Sequence, residues 1–255
     1  MAEDALVTRL RAAGCVFAEA EAALLTDAAG SPGELEDMTA RRVAGEPLEY
    51  VVGWADFAGV RVVVEPGVFV PRHRTELMVE EADRLLEGAA DPVVLDLCCG
   101  TGALAKALAA RRRIEVWAAD VDPVAVRCAR VNLSGAQVVR SDLFERLPGS
   151  LRGLVRVLLA NVPYVPTEAI STMPPEARDH EHRVTLDGGA DGLDTMRRVA
   201  AGAPAWLAPG GSVLIESSPS QVDTMLRVLE TYALKARPVT SEDGDAVVVV
   251  GTRPG

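Results

Sequence analysis

The residues best suited to chemistry are Asn161-Val162-Pro163-Tyr164, which follow the apolar run 154–160. That run predicts a buried strand, so the four residues stand at the carboxyl edge of a sheet, where open α/β sheets bind ligands. Pro163 lacks an N–H and favours extended geometry at Val162, which leaves the carbonyls of the turn available. Asn161 offers an acceptor and two donors, and Tyr164 offers a flat ring and a hydroxyl. The pattern indicates a site for a planar group that carries NH2, although a strand-ending turn capped by Asn161 is the alternative.

A second pattern predicts a nucleotide-type pocket. The apolar strand 93–97 is followed by Cys98-Cys99-Gly100-Thr101-Gly102, a helix, and the strand 115–120, which ends in Asp120. Glycines let the backbone approach a ligand, and an acid at the next strand end accepts ribose hydroxyls. The turn does not fit a dinucleotide fingerprint, because Cys98 stands where the first glycine would be. Asp96-x-x-x-Gly100-x-Gly102 instead resembles the S-adenosylmethionine loop of class I methyltransferases; a tight connection without a ligand is the alternative.

Composition excludes several classes of protein. The 255 residues carry a net charge of −11, which disfavours binding to duplex nucleic acid. No basic and apolar leader is evident at Met-Ala-Glu-Asp, and no apolar run is long enough to span a membrane. The four cysteines lack the spacing of a zinc site and suit reduced thiols. We therefore expect a cytoplasmic protein with no metal and no stable nucleic-acid partner.

The chain divides into three predicted parts: a helical domain at 1–50, a β-hairpin linker at 51–75 and a catalytic domain at 76–255. A broken helical period predicts inward positions in the first part; these are Leu6, Leu10, Val16, Phe17, Ala20 and Leu24. Ser31-Pro32 predicts a capped restart, with a helix at 34–44 that buries Leu35, Met38 and Val43. This part either covers the larger domain or recognises a partner.

The linker is predicted to be extended at 50–53, 54–57 and 60–64, and a helix is predicted to start at Thr75. Arg72 and Glu76 are predicted either to pair or to shape a cofactor pocket. His73 is more typical of a solvated loop residue than of a base.

From Val93 onward, strands and helices alternate, which predicts an α/β fold with a mostly parallel sheet. The further strands are predicted at 136–140, 154–160, 211–216, 234–239 and 246–251, and the further helices at 122–132, 191–207 and 220–232. Residues 165–190 form a long polar connection, which is usually functional or disordered.

Four separated motifs together resemble the protein-(glutamine-N5) methyltransferase (HemK/PrmC-type) family. Residues 161–164 resemble its Asn-Pro-Pro-Tyr signature, and residues 70–76 (Val-Pro-Arg-His-Arg-Thr-Glu) resemble its Pro-Arg-Pro-x-Thr-Glu element. Residues 186–193 (Leu-Asp-Gly-Gly-Ala-Asp-Gly-Leu) resemble its Gly-Gly-x-Asp-Gly-Leu segment. Residues 210–216, with Gln221 beyond, also match its pattern. The similarity covers about Tyr50 to the C-terminus and implies a class I S-adenosylmethionine-dependent methyltransferase with a Rossmann-like, seven-stranded sheet.

The resemblance implies a methyl donor, an acceptor and a set of site residues. The donor is S-adenosyl-L-methionine, and the acceptor is a protein glutamine such as that of a peptide chain release factor. Cofactor binding is assigned to Asp96, Cys98, Cys99, Gly100, Thr101, Gly102, Asp120, Asp142, Leu143 and Asn161. Substrate binding and catalysis are assigned to Asn161, Val162, Pro163 and Tyr164. Asn161 and the Val162 carbonyl would accept the two amide N–H bonds, and Tyr164 would stack on the amide.

Departures from the family pattern leave other acceptors open. Val162 replaces the first proline of the signature, Cys98 and Cys99 replace a glycine and a small polar residue, and His73 and His182 replace prolines. One alternative is methylation of the planar amino group of a small metabolite or a nucleic-acid base. A second is a non-catalytic module that binds the cofactor only.

Overall fold

The computed structural model describes residues 2–255, with side chains from Asp4 onward. Within this range the helices are α1 (Ala2–Ala12), α2 (Ala18–Ala28), α3 (Pro32–Val43), α4 (Leu48–Val52), α5 (Glu76–Leu85), α6 (Ala103–Arg111), α7 (Pro123–Asn132), α8 (Pro175–His180), α9 (Asp194–Trp206) and α10 (Val222–Thr231). The strands are β1 (Trp54–Phe57), β2 (Val60–Val63), β3 (Val93–Leu97), β4 (Glu115–Asp120), β5 (Gln137–Arg140), β6 (Val155–Ala160), β7 (Leu207–Ser217), β8 (Lys235–Thr240) and β9 (Val247–Thr252). In the described part of the chain, no helix is both long and apolar enough to cross a membrane.

Seven strands form one sheet in the order β5-β4-β3-β6-β7-β9-β8. The pairs from β5 to β7 are parallel, whereas β9 is antiparallel to both of its neighbours. The strands buried on both faces are the apolar runs of the sequence, as expected when helices cover both sides of a parallel sheet. The predicted α/β class and seven-stranded sheet are confirmed.

Two apolar clusters pack the helices on opposite faces of the sheet. One contains Met196 and Trp206 of α9 and Leu229 of α10, and the other contains Met78 of α5 and Leu108 of α6. The strand order reverses between β3 and β6, because β4 and β5 lie on one side of β3 and β6 lies on the other. At such a reversal the connecting helices leave on opposite faces and a crevice opens at the carboxyl ends of the strands.

The linker contains the predicted hairpin, but residues 50–53 are not extended. β1 and β2 pair around Ala58-Gly59, whereas residues 48–52 form α4, which Gly53 ends with φ +83°. The β-branched pair Val51 and Val52 favours a strand, but burial of Tyr50 and Val51 against other elements overrides that preference. The Tyr50 hydroxyl donates to the Val68 carbonyl at 2.7 Å and ties α4 to the chain beyond the hairpin.

The first three helices form their own apolar cluster, which includes Leu6, Leu10 and Leu25. The predicted restart is confirmed, since the Ser31 hydroxyl accepts from the Glu34 N–H at 3.2 Å at the start of α3. The inward assignments of Val16, Phe17, Ala20 and Val43 are wrong, because all four are exposed. The turn between α1 and α2 shifts the helical phase, so that Cys15, Ala18 and Ala22 face inward instead.

Residues 165–190 are more ordered than predicted. They contain α8 and two short 3-10 turns at Thr167–Thr172 and Arg183–Thr185. A parallel bridge between Val165 and Asp187 closes the segment at its base. The segment therefore begins and ends beside the turn that follows β6.

Candidate functional site

Strand register brings the predicted site residues to one edge of the sheet. Leu97 lies opposite Ala119 on one side and opposite Ala160 on the other. Ala160 in turn lies opposite Ile215 of β7. Because these strands are parallel, the residues after them, from Asp120 through Cys98 and Asn161 to Glu216, emerge in a row.

The turn after β3 has the backbone geometry of a glycine loop even where it lacks glycine. Cys98 has φ +54° and Gly100 has φ +52°. A left-handed backbone disfavours a side chain at Cys98 and is typical of strained functional turns. A Cβ on Gly102 would lie 2.7 Å from Leu133 Cδ1, so this glycine allows α6 to approach α7.

Asp120 is held by the backbone around it. Its Oδ2 accepts from the Gly100 N–H and its Oδ1 from the Asp122 N–H, both at 2.9 Å. Burial raises the pKa of Asp120, against the opposing effect of these N–H donors. The remaining lone pairs of the carboxylate can accept hydroxyl groups, as a ribose site requires.

Asp96 lies beneath the same turn rather than in the wall of the crevice. It is 1% exposed, and neither of its carboxylate oxygens has a hydrogen-bond partner among the described side chains and backbone. Burial raises its pKa well above the ordinary value. Burial first, and then the charges of Asp120 and Asp96, raise the pKa of the Cys98 and Cys99 thiols, which favours the unreactive protonated form.

Asp142 and Leu143 follow β5 at the far end of the row. Leu143 has φ +46°, a second left-handed non-glycine residue at this edge. The Arg198 guanidinium of α9 donates to Asp142 Oδ2 at 2.8 Å. The Asp142 carboxylate is therefore oriented from outside the sheet.

Asn161 and Val162 offer free polar groups to the crevice. Across residues 4–255, no hydrogen bond engages the Asn161 side-chain amide or the Val162 carbonyl. Asn161 is half-buried, and both residues line the cavity. They form a ready acceptor pair for a ligand that carries N–H bonds.

Tyr164 is held from both ends. Its hydroxyl accepts from Arg74 at 2.6 Å and donates to Glu216 at 2.9 Å. Its carbonyl accepts from the Gln221 side-chain amide at 3.0 Å. Burial first, and then the charge of Glu216, raise the pKa of the phenol, which therefore remains protonated.

Two glycines of the 186–193 segment pack directly against the Asn161–Tyr164 turn. A Cβ on Gly188 would lie 2.7 Å from the Pro163 carbonyl oxygen, and one on Gly192 would lie 2.3 Å from the Tyr164 carbonyl oxygen. The glycines of this motif are thus required by close backbone approach. The sequence motif indicated a shared function but did not reveal this contact.

Of the two alternatives for Arg72 and Glu76, the ion pair is wrong, whereas Arg72 does line the cavity. Arg72 donates to Glu181 at 2.5 Å, whereas Glu76 accepts from His73 Nδ1 at 2.9 Å. Glu181 belongs to the 165–190 segment. It lies 109 residues from Arg72 in the sequence, so local pattern could not predict this pair. The second carboxylate oxygen of Glu181 is buried and has no partner in the described chain.

His182, which stands where the family pattern has proline, connects the same segment to the cofactor side. Its side-chain Nδ1 donates to Asp122 Oδ2 at 2.6 Å, and its backbone N–H donates to the Gly67 carbonyl at 3.1 Å. Burial acts to raise the pKa of Asp122, but the hydrogen bonds from His182 and Val124 outweigh it and lower that pKa.

These elements enclose a cavity of about 320 Å³. Most of the predicted site residues line it: Cys98, Cys99, Gly100, Thr101, Asp120, Asp142, Leu143, Asn161, Val162, Pro163 and Tyr164. Asp96 and Gly102 are not among the lining residues. Sequence reasoning missed Phe69, Met173, Glu181, Val184 and Arg198, which also line the wall.

Comparison with known proteins decides among the families that could carry such a cavity. Residues 94–180 match a family model described as "Methyltransferase domain". The chain is 40% identical to a release factor glutamine methyltransferase of Geobacter sulfurreducens, over 74% of this chain and 66% of that one. It is 38% identical to the Deinococcus radiodurans enzyme of the same name, over 78% of this chain and 72% of that one. The chain belongs to the protein-(glutamine-N5) methyltransferase family.

Two further proteins that are similar to this methyltransferase carry other names. It is 34% identical to a 4-amino-L-phenylalanine/4-methylamino-L-phenylalanine methyltransferase of Streptomyces pristinaespiralis, over 80% of this chain and 73% of that one. A solved 16S rRNA methyltransferase of T. thermophilus, in complex with S-adenosylmethionine and guanosine, superposes with a TM-score of 0.56 at 24% identity. That superposition covers 78% of this chain and 49% of that one, and it supports the shared fold. The chain spans about two thirds of the length of the first relative.

The cavity of this methyltransferase fits S-adenosylmethionine, the methyl donor of its family. Each arginine that lines it already pairs with a carboxylate, so the described wall has no unpaired guanidinium for a pyrophosphate; the pairs are Arg72–Glu181, Arg74–Glu216 and Arg198–Asp142. Beneath the turn, Asp96 holds a buried carboxylate without a partner. A neighbouring positive charge stabilises such a group. S-adenosylmethionine carries ammonium and sulfonium charges and no phosphate.

Proposed function

We propose that this methyltransferase modifies the side-chain amide nitrogen of a glutamine in a peptide chain release factor. The observation that carries the proposal is the unpaired acceptor pair in the cavity wall, formed by the Asn161 side chain and the Val162 carbonyl. A primary amide presents two N–H bonds in one plane, which match two acceptors at one strand end. Two relatives that share 38–40% identity carry the name release factor glutamine methyltransferase.

The chain acts chiefly by positioning and by electrostatics. The amide nitrogen is a poor nucleophile because its lone pair is delocalised into the carbonyl. Acceptance of both N–H bonds by Asn161 and Val162 fixes the nitrogen and favours the positive charge that develops on it as the N–CH3 bond forms and the donor's S–CH3 bond breaks. One of the two N–H protons would then leave to solvent, which gives the neutral N-methyl amide. Orientation of this kind can supply about 7–11 kcal/mol of the barrier. S-adenosylmethionine supplies the activated methyl group, and the proposed residues that hold it are those of the 98–102 turn, Asp120, Asp142 and Leu143.

The three predicted parts of the chain would divide this work. Residues 76–255 would carry the reaction, residues 51–75 would wall the cavity, and residues 1–50 would support the protein acceptor. The described cysteines are free, which suits the reducing cytoplasm where such an acceptor is made. The net charge of −11 suits a protein acceptor rather than stable binding to nucleic acid.

The first test is methyl transfer to release factors of the same organism, read by intact and peptide mass. We expect one added methyl on a single glutamine. Asn161→Ala should abolish turnover, and Asp120→Ala should weaken cofactor binding. Turnover that survives in Asn161→Ala would contradict the proposed acceptor geometry.

A second acceptor class is favoured by one comparison. The Streptomyces pristinaespiralis relative is named for methylation of an aromatic amine, which is also a planar NH2 group. The assay therefore includes free 4-amino-L-phenylalanine beside the release factor. Transfer to the small amine alone would move the substrate class from protein to metabolite.

A further inference from the structure

Glu216 is a buried carboxylate that joins three side chains at the acceptor side of the cavity. It is 2% exposed, at the carboxyl end of β7. Its Oε1 accepts from Arg74 Nε at 3.2 Å and from the Tyr164 hydroxyl at 2.9 Å. Its Oε2 accepts from the Thr75 hydroxyl at 2.5 Å.

The direction of each hydrogen bond follows from the groups involved. A guanidinium can only donate, so the Tyr164 oxygen accepts from Arg74 and its own hydrogen must go to Glu216. The Thr75 hydroxyl holds the other carboxylate oxygen, which prevents Glu216 from rotating away. Charge-assisted hydrogen bonds of this kind are short and strongly directional.

The network fixes a ring that faces the proposed acceptor. Gln221 holds the Tyr164 backbone, and Glu216 and Arg74 hold the far end of its side chain. Tyr164 lines the cavity, whereas Glu216 does not. Glu216 therefore acts on the cavity through the side chains that it holds, which are Tyr164 and the cavity-lining Arg74 and Thr75.

We propose that Glu216 is a positioning residue for methyl transfer, which holds the Tyr164 ring against the planar group of the acceptor. This inference rests on the proposed function, since it assigns Tyr164 to the acceptor side. Nothing in the hydrogen-bond pattern requires Glu216 to touch the reacting atoms or to move a proton.

A double-mutant cycle tests the coupling. Glu216→Ala and Tyr164→Phe should each lower kcat by about 10- to 100-fold, because small misplacements near the reacting centre are costly. The Kd for S-adenosylmethionine should change by no more than about twofold in either variant, since the 98–102 turn is intact. If Glu216 acts through the ring, the double variant should be no slower than the slower single variant. Effects that multiply would overturn the proposal.

Two variants separate positioning from folding. Glu81→Ala removes another buried carboxylate, which pairs with Arg84 and Arg237 away from the cavity. Like Glu216→Ala, Glu81→Ala should lower the free energy of unfolding. Unlike Glu216→Ala, it should leave kcat unchanged at a temperature where both variants are folded. Glu216→Gln keeps one carbonyl oxygen that can accept from Tyr164, and it should restore most of kcat. Equal kcat in Glu216→Ala and wild type would overturn the proposal.

A spectroscopic measurement keeps the inference separate from the choice of acceptor. If the wild-type chain methylates no release factor, the proposed function fails but the coupling can still be measured. Carbon-13 NMR of ζ-labelled tyrosine resolves Tyr50, Tyr164 and Tyr232, the three tyrosines of the chain. Glu216→Ala should shift the Tyr164 signal, since the phenol loses the carboxylate to which it donates, and should leave the Tyr50 and Tyr232 signals in place. An unchanged Tyr164 signal would overturn the inference.

Discussion

At the scale of single residues, the site brings together several unsatisfied and strained groups. Asp96 has two buried oxygens without partners, Asn161 has an unengaged amide, and Cys98 and Leu143 adopt left-handed backbone. The buried Asp96 oxygens and the left-handed residues cost stability, and such costs gather at functional sites. Unpaired polar groups and left-handed residues therefore mark the position of the site in the chain itself.

Asp96→Asn should stabilise the protein and weaken its binding of S-adenosylmethionine. Burial raises the pKa of Asp96 above its ordinary value of 3.8, so the folded chain holds this proton more tightly than the unfolded chain. Its contribution to stability is thus present below pH 3.8 and is lost as the pH rises towards the folded-state pKa. Asparagine cannot ionise, and we expect a gain of about 1–3 kcal/mol at neutral pH.

Urea unfolding at several pH values, with calorimetry of cofactor binding, measures both effects. The two unfolding curves should approach each other on the acid side of the titration and separate above it. Parallel stability profiles for wild type and variant would contradict a buried, titrating carboxylate.

At the scale of elements, the acceptor turn depends on a segment that is close to it in space rather than in sequence. Residues 186–193 return to β6 through the Val165–Asp187 bridge and place two glycines against the Pro163 and Tyr164 carbonyls. Gln221 then bridges Tyr164 and Asp191 with hydrogen bonds of 3.0 and 3.1 Å. The turn after β6 is thus shaped by three elements at once.

Gly192→Ala should abolish turnover, because its Cβ would lie 2.3 Å from the Tyr164 carbonyl oxygen and 2.6 Å from Gln221 Nε2. Gly153→Ala is the matched control, with a similar φ of +74° and no atom within 4 Å of its Cβ. Both substitutions should cost about 1–2 kcal/mol in backbone strain. Only Gly192→Ala should lower kcat, measured after thermal melts confirm that both variants fold; comparable activities would contradict the packing role of Gly192.

At the scale of the whole molecule, the first helices are connected to the segment that covers the cavity. Arg42 of α3 is buried and pairs with Glu21 of α2 and with Glu176 of α8, each at 2.6 Å. Glu181, at the end of α8, then holds Arg72 in the cavity wall. Two separate sets of ion pairs, one near each end of α8, therefore connect the helical cluster and the cavity wall to the same helix.

Glu21→Ala should destabilise the protein far more than Glu176→Ala. The Glu21 side chain is 11% exposed and that of Arg42 is 7% exposed, so removal of Glu21 leaves a buried cation whose remaining anionic partner is the exposed Glu176, at a cost of about 3–5 kcal/mol. Glu176 is 51% exposed, and its loss should cost about 1 kcal/mol or less. Chemical denaturation of both variants measures the difference, and equal losses would show that Arg42 does not depend on its buried partner.

The sequence by itself determined the fold class, the apolar runs that form the strands, and the edge of the sheet at which the site lies. Continuous apolar runs report burial on both faces of a sheet, and parallel strands bring their carboxyl ends to one edge whatever the details of packing. The glycine turn at 98–102, Asp120 and the Asn161–Tyr164 turn could therefore be located from local pattern alone. The cap at Ser31 was equally local, since its partner lies three residues away.

Only the tertiary structure decided which side chains meet. The helix predicted to start at Thr75 does begin there, but the Thr75 hydroxyl bonds Glu216, 141 residues away. Arg72 pairs with Glu181 rather than with nearby Glu76. Val51 and Val52 favoured a strand and lie in α4, because burial against distant elements outweighs local preference. Such pairs depend on how α5 and residues 165–190 pack onto the sheet. Periodicity records which face of an element is apolar, but it carries no information about which distant polar group will stand opposite.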